Sequence, residues 1–253
     1  MPLTMTPRNA NAAASFGEKA SSYEAHAFVQ TRAAQWLAQW LPSATDAGRC
    51  LEFGAGTGLL TRHLVDQVEH LESSDIEPAM VEICQEKYPS ATHCVRDAWA
   101  AQPEDRGQWD LIAASSVLQW AKEPVQVMQH WRELLKSDGR ILAGFFIEPS
   151  LPEMFAVTGG DSPLIWRNDE AWRAVFASAE LEIVRMETDE RRYHYPSALD
   201  FWKSLHSTGT AVSRKISPSQ MMRFFRDYEL QFRDAQGVYA TWTLCRVELK
   251  ASS

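Results

Sequence analysis

The feature that most constrains the fold is the alternation of short apolar runs with segments of helical periodicity between residues 50 and 147. The run at 140–147, RILAGFFI, is unbroken, as in a strand that is covered on both faces. Strands that alternate with helices form a parallel sheet with helices on both of its faces. The sequence therefore predicts an α/β fold with a doubly wound, Rossmann-like sheet.

Two long segments near the carboxyl end predict a change of strand direction. Residues 181–195 and 238–249 alternate apolar with polar side chains, and no short crossover helix joins them. We therefore expect seven strands, most of them parallel and the last antiparallel. Helices are expected over residues 21–41, 59–68, 78–87, 125–135 and 169–179.

Residues 196–232 lie between those two segments and are too long and too regularly patterned for a loop. They predict a helical insertion before the last strand, which caps a single domain that spans residues 1–253. Basic amphipathic helices also bind membrane surfaces, but aromatic residues at this spacing more often pack over their own domain.

The charge distribution argues against nucleic-acid binding and singles out one basic segment. The net charge is -8, which opposes attraction to phosphates. Between residues 191 and 226, however, all charged side chains but Asp200 are basic. Such a segment is either an ordinary solvated face or a docking surface for an acidic partner. Its basic residues are Arg191, Arg192, Lys203, Arg214, Lys215, Arg223 and Arg226.

Neither a targeting segment nor a metal site is indicated. Residues 1–15 lack the apolar centre of a signal peptide, and no apolar run reaches the roughly 18 residues of a membrane span. The cysteines form no CxxC pair, so free thiols in a reducing compartment are expected and no metal. We expect a cytoplasmic protein without stable membrane association.

The stretch CLEFGAGTGLL, from Cys50 to Leu60, carries the strongest functional signal. Glycines at 54, 56 and 58 permit a tight turn whose backbone N–H groups approach a ligand. A dinucleotide fingerprint, G-x-G-x-x-G, would have its third glycine at position 59, where this sequence has leucine. The turn also lacks the lysine of a phosphate-binding loop. Glu52 precedes it, and Asp75 ends the next strand, where a carboxylate can accept both hydroxyls of a ribose. The pattern favours a nucleoside without a 2′-phosphate.

These residues resemble the class I methyltransferases that use S-adenosylmethionine, in which an acid and three alternating glycines follow the first strand. The resemblance implies that Asp75 binds the ribose, that Ile76 or Met80 sandwiches the adenine and that Asp97 contacts its amino group. The cofactor-binding residues that it implies are Glu52, Gly54, Ala55, Gly56, Gly58, Asp75, Ile76, Met80, Asp97, Ala98 and Ser115.

A narrower resemblance, to the malonyl-acyl carrier protein methyltransferases of biotin synthesis, covers nearly the whole chain. The segments that carry it are SFGEKASSYEAHAFVQ, VLQW, FWKSLHSTGTA and YATWTLCRVELKA. Two departures are the KSDG at 136–139, where the family has Lys-Pro-Gly-Gly, and His206, where lysine is usual. The resemblance implies a carboxyl O-methyltransferase that acts on malonyl-phosphopantetheine of acyl carrier protein, or on malonyl-coenzyme A. It also implies a helical lid at 15–41.

A malonyl carboxylate is already ionised at neutral pH, so methyl transfer to it needs placement and exclusion of water more than a general base. Neutral donors should orient the carboxylate, because an arginine paired closely with the attacking oxygen would make that oxygen less nucleophilic. Tyr23, His26 and Gln30 share one face of the leading helix, at positions i, i+3 and i+7. Either Tyr23 contacts the methyl group or the carboxylate, or Tyr23 and His26 only form the pocket wall. Gln119 and Trp120 follow strand four, where substrate and cofactor meet. The candidate catalytic residues are Tyr23, His26, Gln119 and Trp120.

The basic segment then has a use, because acyl carrier proteins are strongly acidic and would meet it transiently. Arg214 and Lys215 are the favoured contacts, and we expect a monomer.

Two alternative functions stay open. A methyltransferase for another small acid, such as an aconitate-like one, would need several basic residues inside the pocket. A non-enzymatic module that binds S-adenosylmethionine would need no open channel above the turn.

Overall fold

A computed structural model describes residues 27–42, 48–100, 103–159, 164–208 and 217–252. The strands are β1 (Arg49–Phe53), β2 (His70–Asp75), β3 (Thr92–Val95), β4 (Trp109–Ser115), β5 (Leu135–Ile147), β6 (Leu181–Tyr195), β7 (Arg233–Asp234) and β8 (Gly237–Ala251). The α-helices are α1 (Phe28–Ala38), α2 (Thr61–Leu64), α3 (Pro78–Lys87), α4 (Pro124–Leu134), α5 (Pro152–Thr158), α6 (Asp169–Ser178), α7 (Ala198–Ser207) and α8 (Pro218–Gln231). Short 3-10 turns lie at Pro103–Asp105 and Leu118–Trp120.

The strands form one sheet in the order β3-β2-β1-β4-β5-β8-β6, and the two-residue β7 pairs with β8. The first five strands are parallel, whereas β8 runs antiparallel to both of its long neighbours. The predicted mostly parallel, doubly wound sheet with an antiparallel last strand is therefore confirmed. Because strand order reverses between β1 and β4, a ligand crevice is expected at their carboxyl ends.

Strand β5 shows why both faces of the sheet carry helices. Ala143 and Phe145 point to one face and pack in a buried cluster with residues of α4 and α6. Leu142 and Phe146 point to the other face and pack in clusters that include α1. An unbroken apolar strand satisfies both layers at once, as the sequence predicted.

The predicted insertion at 196–232 contains α7 and α8. Phe224 and Tyr228 of α8 are buried against Phe201 of α7, with Tyr228 5.0 Å from Phe201 between ring centroids. Aromatic packing thus holds the two helices together. Across the described ranges, no helix is long and apolar enough to cross a membrane.

Two helix predictions were wrong in extent. The predicted helix over 59–68 is reduced to α2, because backbone N–H groups from 62 to 67 bond to acceptors three and four residues back in turn, which breaks a regular helix. The predicted helix over 21–41 ends at Ala38, since Trp40 and Leu41 bond in the tighter i−3 pattern just before Pro42. Its part from 21 to 26 lies outside the described residues.

Candidate functional site

The glycine-rich turn joins β1 to α2 and is tied to the end of β2. The Gly56 N–H donates to Asp75 Oδ2 at 2.9 Å, and the Glu77 N–H donates to Asp75 Oδ1 at 3.0 Å. Gly56 has a φ of 55° and open space where a Cβ would stand. Only glycine takes this left-handed conformation freely, and the missing side chain leaves the backbone exposed to a ligand.

Burial raises the pKa of the Asp75 carboxyl above its usual range, and the backbone N–H groups of Glu77, Gly56 and Ile76 oppose that rise. A carboxylate offers about four lone-pair positions, and the two well-aligned hydrogen bonds, from the Gly56 and Glu77 backbone, occupy two of them. Asp75 therefore keeps acceptor capacity for a further pair of donors, as the two hydroxyls of a ribose would be.

Glu52 lies inside the sheet, 1% exposed, and its carboxylate joins three elements. Its Oε2 accepts from Thr61 Oγ1 at 2.6 Å and from Ser73 Oγ at 3.0 Å. Burial raises the pKa of Glu52 to about 7; the hydrogen bonds from Thr61 and Ser73 oppose the rise, and the nearby charge of Asp75 adds to it. A buried carboxyl of this kind favours a positive ligand beside it.

A cleft with about 310 Å³ of free space, including space open to solvent, lies above the turn. It brings together five predicted cofactor residues: Glu52, Gly54, Ala55, Gly56 and Ser115. Four residues that were not among those predictions also line it: Gln30, Leu59, Leu60 and Ser116. Among the described residues of this lining, none is basic.

The turn after β4 contributes hydroxyl and amide groups to the cleft region. Gln119 is buried and its Nε2 donates to the Ser116 carbonyl at 2.7 Å. Ser116 adopts a left-handed φ of 62°, an uncommon conformation for serine that often marks a functional turn. In the described part of the chain, the Ser115 and Ser116 hydroxyls and Gln119 Oε1 have no hydrogen-bond partner. These polar atoms are free for a ligand.

The remaining predicted cofactor residues lie around the neighbouring strand ends. Asp97 follows β3 and accepts from the Trp99 N–H at 2.9 Å, while the Ala98 carbonyl accepts from Trp131 Nε1 at 2.8 Å. Ile76 is half-buried at the end of β2, whereas Met80 of α3 is 2% exposed. Gly58 lies in the turn itself, where a Cβ would stand 2.3 Å from the Tyr88 ring. Its role is close packing.

Two of the predicted catalytic residues, Tyr23 and His26, lie outside the described residues. Gln119 and Trp120 lie in the 3-10 turn that follows β4. Gln30 of α1 also lines the cleft. The helical face that predicted Tyr23 and His26 also contained Gln30, so that signal was available in the sequence.

The predicted basic segment divides into engaged and exposed side chains. Arg191 pairs with Asp189, and Arg192 stacks over the Tyr239 ring at 3.9 Å. Lys203, Arg223 and Arg226 are exposed on α7 and α8, and Arg226 contacts Asp227. Arg214 and Lys215 lie outside the described residues.

The site fits the adenosyl cofactor that the sequence implies. Two buried carboxyls, a bare glycine backbone and unpartnered hydroxyls suit a ligand with a ribose and positive charge, and the lack of basic lining among the described residues does not suit a phosphate. The residues that would hold it are Glu52, Gly56, Asp75 and Ser115.

Comparison with known proteins agrees with this chemistry. The family described as a methyltransferase domain matches residues 51–141. The malonyl-[acyl-carrier protein] O-methyltransferase of Paenibacillus sp. (strain JDR-2) is 26% identical, with 95% of this chain and 96% of the relative covered. The enzyme of the same name from Haemophilus ducreyi is 29% identical, with 88% and 89% covered. The BH2331 protein of Bacillus halodurans C-125 shares the fold, with a TM-score of 0.65 at 10% identity over 87% of this chain and 99% of its own.

Proposed function

Because this chain is a class I methyltransferase that depends on S-adenosylmethionine, we propose that it methylates the free carboxylate of a malonyl group carried on acyl carrier protein. The observation that carries the proposal is the extent of the similarity, 95% of this chain and 96% of the Paenibacillus relative. The methyltransferase domain alone ends at residue 141. The similarity thus includes the segments beyond it, which we expect to select the substrate, because one fold hosts many chemistries.

The residues of the cleft would hold the cofactor and orient it. When bound, S-adenosylmethionine supplies a methyl group on a positively charged sulfur. Asp75 would accept the ribose hydroxyls, while the Gly56 backbone leaves room for close approach. Glu52 would add negative charge in a buried setting, where attraction to a cation is less screened than in water.

The reaction needs little acid–base chemistry from the protein. A malonyl carboxylate has a pKa near that of a simple acid, about 4, and is ionised at neutral pH. The chain would therefore act by positioning the carboxylate and excluding water. Buried Gln119 and the hydroxyls of Ser115 and Ser116 can position groups without a competing positive charge.

The cleft favours a substrate with one carboxylate over a polyacid. An aconitate-like substrate would need several basic side chains around it. The described cleft lining offers carboxyl, amide, hydroxyl and apolar groups instead. This composition supports the malonyl proposal over that alternative.

Acyl carrier protein would dock on the exposed basic side of α7 and α8. Lys203, Arg223 and Arg226 are exposed there, next to Met222 and Leu230, which are 68% and 76% exposed. Apolar side chains flanked by positive charge suit an acidic partner with an apolar contact surface. Arg214 and Lys215 stay predicted contacts.

The proposal is tested by complementation of a bacterial strain that lacks its malonyl-acyl carrier protein methyltransferase. We expect the gene for this chain to restore growth without biotin, and an Asp75→Ala variant produced at equal level to fail. Failure of the wild-type chain, shown to be folded and to bind S-adenosylmethionine, would contradict the proposed substrate.

A further inference from the structure

A buried arginine joins α1 to the sheet. Arg246 of β8 is 6% exposed, and its guanidinium lies 4.3 Å from the ring centroid of Trp36 and 4.1 Å from that of Trp40. Trp36 belongs to α1, and Trp40 follows the last residue of that helix by two positions. A cation that is shielded from water by aromatic rings is attracted to them more strongly than one at the surface. Arg246 therefore attaches the carboxyl end of α1 to the sheet.

Arg246 also donates hydrogen bonds to this end of α1. The Trp36 carbonyl lacks its ordinary helical partner, because the Trp40 N–H donates to the Leu37 carbonyl instead. The Arg246 guanidinium donates to the Trp36 carbonyl at 2.5 Å and to Gln39 Oε1 at 3.2 Å. A positive group is favoured at the carboxyl end of a helix. Because hydrogen bonds are directional, these contacts fix the rotation of α1 as well as its distance from the sheet.

A row of paired residues connects Arg246 with the cofactor cleft. Glu187 of β6 lies opposite Arg246, and its Oε2 accepts from Arg246 Nη2 at 2.6 Å. On the other side of Arg246 lies Gly144 of β5, and opposite Gly144 lies Ser115 of β4, which lines the cleft. Two strand spacings, roughly 10 Å, thus separate the backbone of Arg246 from that of the cleft residue Ser115.

Helix α1 lies over this row and extends to the cleft. Leu37 packs on Gly144, where a Cβ would stand 3.3 Å from Leu37 Cδ2, so the missing side chain lets the helix approach closely. Gln30 precedes Leu37 by seven residues, about two helical turns, and lies on the same face. The Gln30 side chain is buried and lines the cleft together with Ser115. The place of Gln30 in the cleft therefore depends on where α1 lies on the sheet.

The apolar contacts of α1 specify that position poorly. Hydrophobic burial is non-directional, and two of the buried side chains of α1, Ala33 and Ala34, are small. A smooth helix face can slide or rotate on a sheet at little cost. Moving Arg246 away from Glu187, in contrast, would leave an unpaired charge in a buried setting.

We propose that Arg246 is a positioning residue for the cofactor cleft: it holds α1 on the sheet and so keeps Gln30 in contact with bound S-adenosylmethionine. The identity of that ligand rests on the proposed function. The Gln30 amide can donate to one ligand atom and accept from another. Arg246 is absent from the described lining of the cleft, so it acts only through the helix.

A double-mutant cycle of Gln30→Ala and Arg246→Met tests the inference, with S-adenosylmethionine affinity measured by titration calorimetry. Methionine keeps an apolar stem but neither the charge nor the donors of arginine. We expect each single variant to bind about fivefold more weakly, the worth of about one neutral hydrogen bond. Because Arg246 acts through Gln30, the double variant should also bind about fivefold more weakly, instead of the roughly 25-fold of independent effects.

Thr243→Val is the matched control on the same strand. Thr243 is buried, and its Oγ1 donates to the Pro149 carbonyl at 2.6 Å. It lies three residues before Arg246 and so points to the opposite face of the sheet, away from α1. Thr243→Val and Arg246→Met should both lower thermal stability, because each removes a buried hydrogen bond. Only Arg246→Met should change the affinity.

Two further variants keep the test open if Arg246→Met does not fold. Arg246→Lys keeps a cation beside the rings and a donor for the Trp36 carbonyl, so its affinity should stay within about twofold of the wild type. Trp36→Leu removes one ring and takes the place of Arg246→Met in the cycle. Its loss of affinity should likewise vanish when Gln30 is already alanine.

The outcomes distinguish the inference from the proposed function. Additive losses in the cycle, or wild-type affinity in Gln30→Ala or in Arg246→Met, would overturn the inference alone. A folded wild type that binds no S-adenosylmethionine would overturn the cofactor assignment and the inference with it. A wild type that binds the cofactor but methylates no malonyl thioester would contradict the proposed substrate, while a non-additive cycle would still support the role of Arg246.

Discussion

Replacing Glu52 with glutamine removes a carboxyl group that the sheet buries beside the cofactor cleft. Glutamine is nearly the same size, and its Oε1 can still accept from Thr61 and Ser73. The substitution removes the free-energy cost of ionising a buried carboxyl group. Burial lifts the pKa of Glu52 from its ordinary value of 4.5 to about 7, so the folded state disfavours the charged form.

The pH dependence of the free energy of unfolding follows from the linkage between protonation and folding. A folded-state pKa above the unfolded value contributes stability that is fully present below 4.5 and is lost as the pH rises through about 7. At about 1.4 kcal/mol per pKa unit, ionised Glu52 costs the ligand-free protein about 3 kcal/mol near pH 8 and about 1 kcal/mol near pH 5.5. Glu52→Gln should therefore stabilise the ligand-free protein by these amounts.

Cofactor binding should move in the opposite direction. The variant lacks the carboxylate that attracts the positive ligand, so S-adenosylmethionine affinity should fall on the order of tenfold or more. Wild-type affinity should itself rise with pH between about 6 and 8, as Glu52 ionises, whereas the affinity of the variant should not.

Urea unfolding near pH 8 and pH 5.5 measures the first effect, and titration calorimetry over the same range measures the second. Glu86→Gln is the control, because Glu86 is exposed on α3 and should leave both quantities unchanged. A stability difference that stays constant with pH, or a variant that binds the cofactor as tightly as the wild type, would refute the reasoning.

Two further predictions concern the turn and the docking surface. Gly56→Ala and Gly107→Ala both place a methyl group at a left-handed φ with open space around it, so each should lose about 1–2 kcal/mol of stability. Only Gly56→Ala should also lower the S-adenosylmethionine affinity, about tenfold, as measured by calorimetry. Equal affinities of the two variants would show that the turn does not contact the cofactor. Charge reversal at Arg223 and Arg226 should lower kcat/KM for malonyl-acyl carrier protein about tenfold at low salt, without change for malonyl-coenzyme A. Reversal at Arg173, on the other face of the sheet, is the control, and an equal response to both substrates would count against carrier docking.

The sequence was most informative where local chemistry sets the structure. The helix predicted over 78–87 is α3 at both ends, because Pro78 fits the first helical position and the preceding residue is extended. The turn at Gly56 follows in the same way from a conformation that glycine alone takes readily. Local signals of this kind need no partner from elsewhere in the chain.

The sequence was least informative where a contact joins distant segments. The family resemblance implied that Glu52 is a cofactor residue, but its hydrogen bonds from Thr61 and Ser73 depend on the register of β1 against β2. Tyr195 and Trp242 come together only because β6 pairs antiparallel with β8 in one register. A shift of one residue would turn either side chain to the other face of the sheet. Alternation alone cannot fix that register.

Mass spectrometry of acyl carrier protein tests the central claim most directly. Malonyl-acyl carrier protein is incubated with the purified chain and S-adenosylmethionine, with acetyl-acyl carrier protein as the substrate that lacks a free carboxylate. The account predicts that the malonyl form gains the mass of one CH₂ unit, in a base-labile ester, and that the acetyl form is unchanged. An unmodified malonyl form, with a chain that binds the cofactor and remains folded, would contradict it.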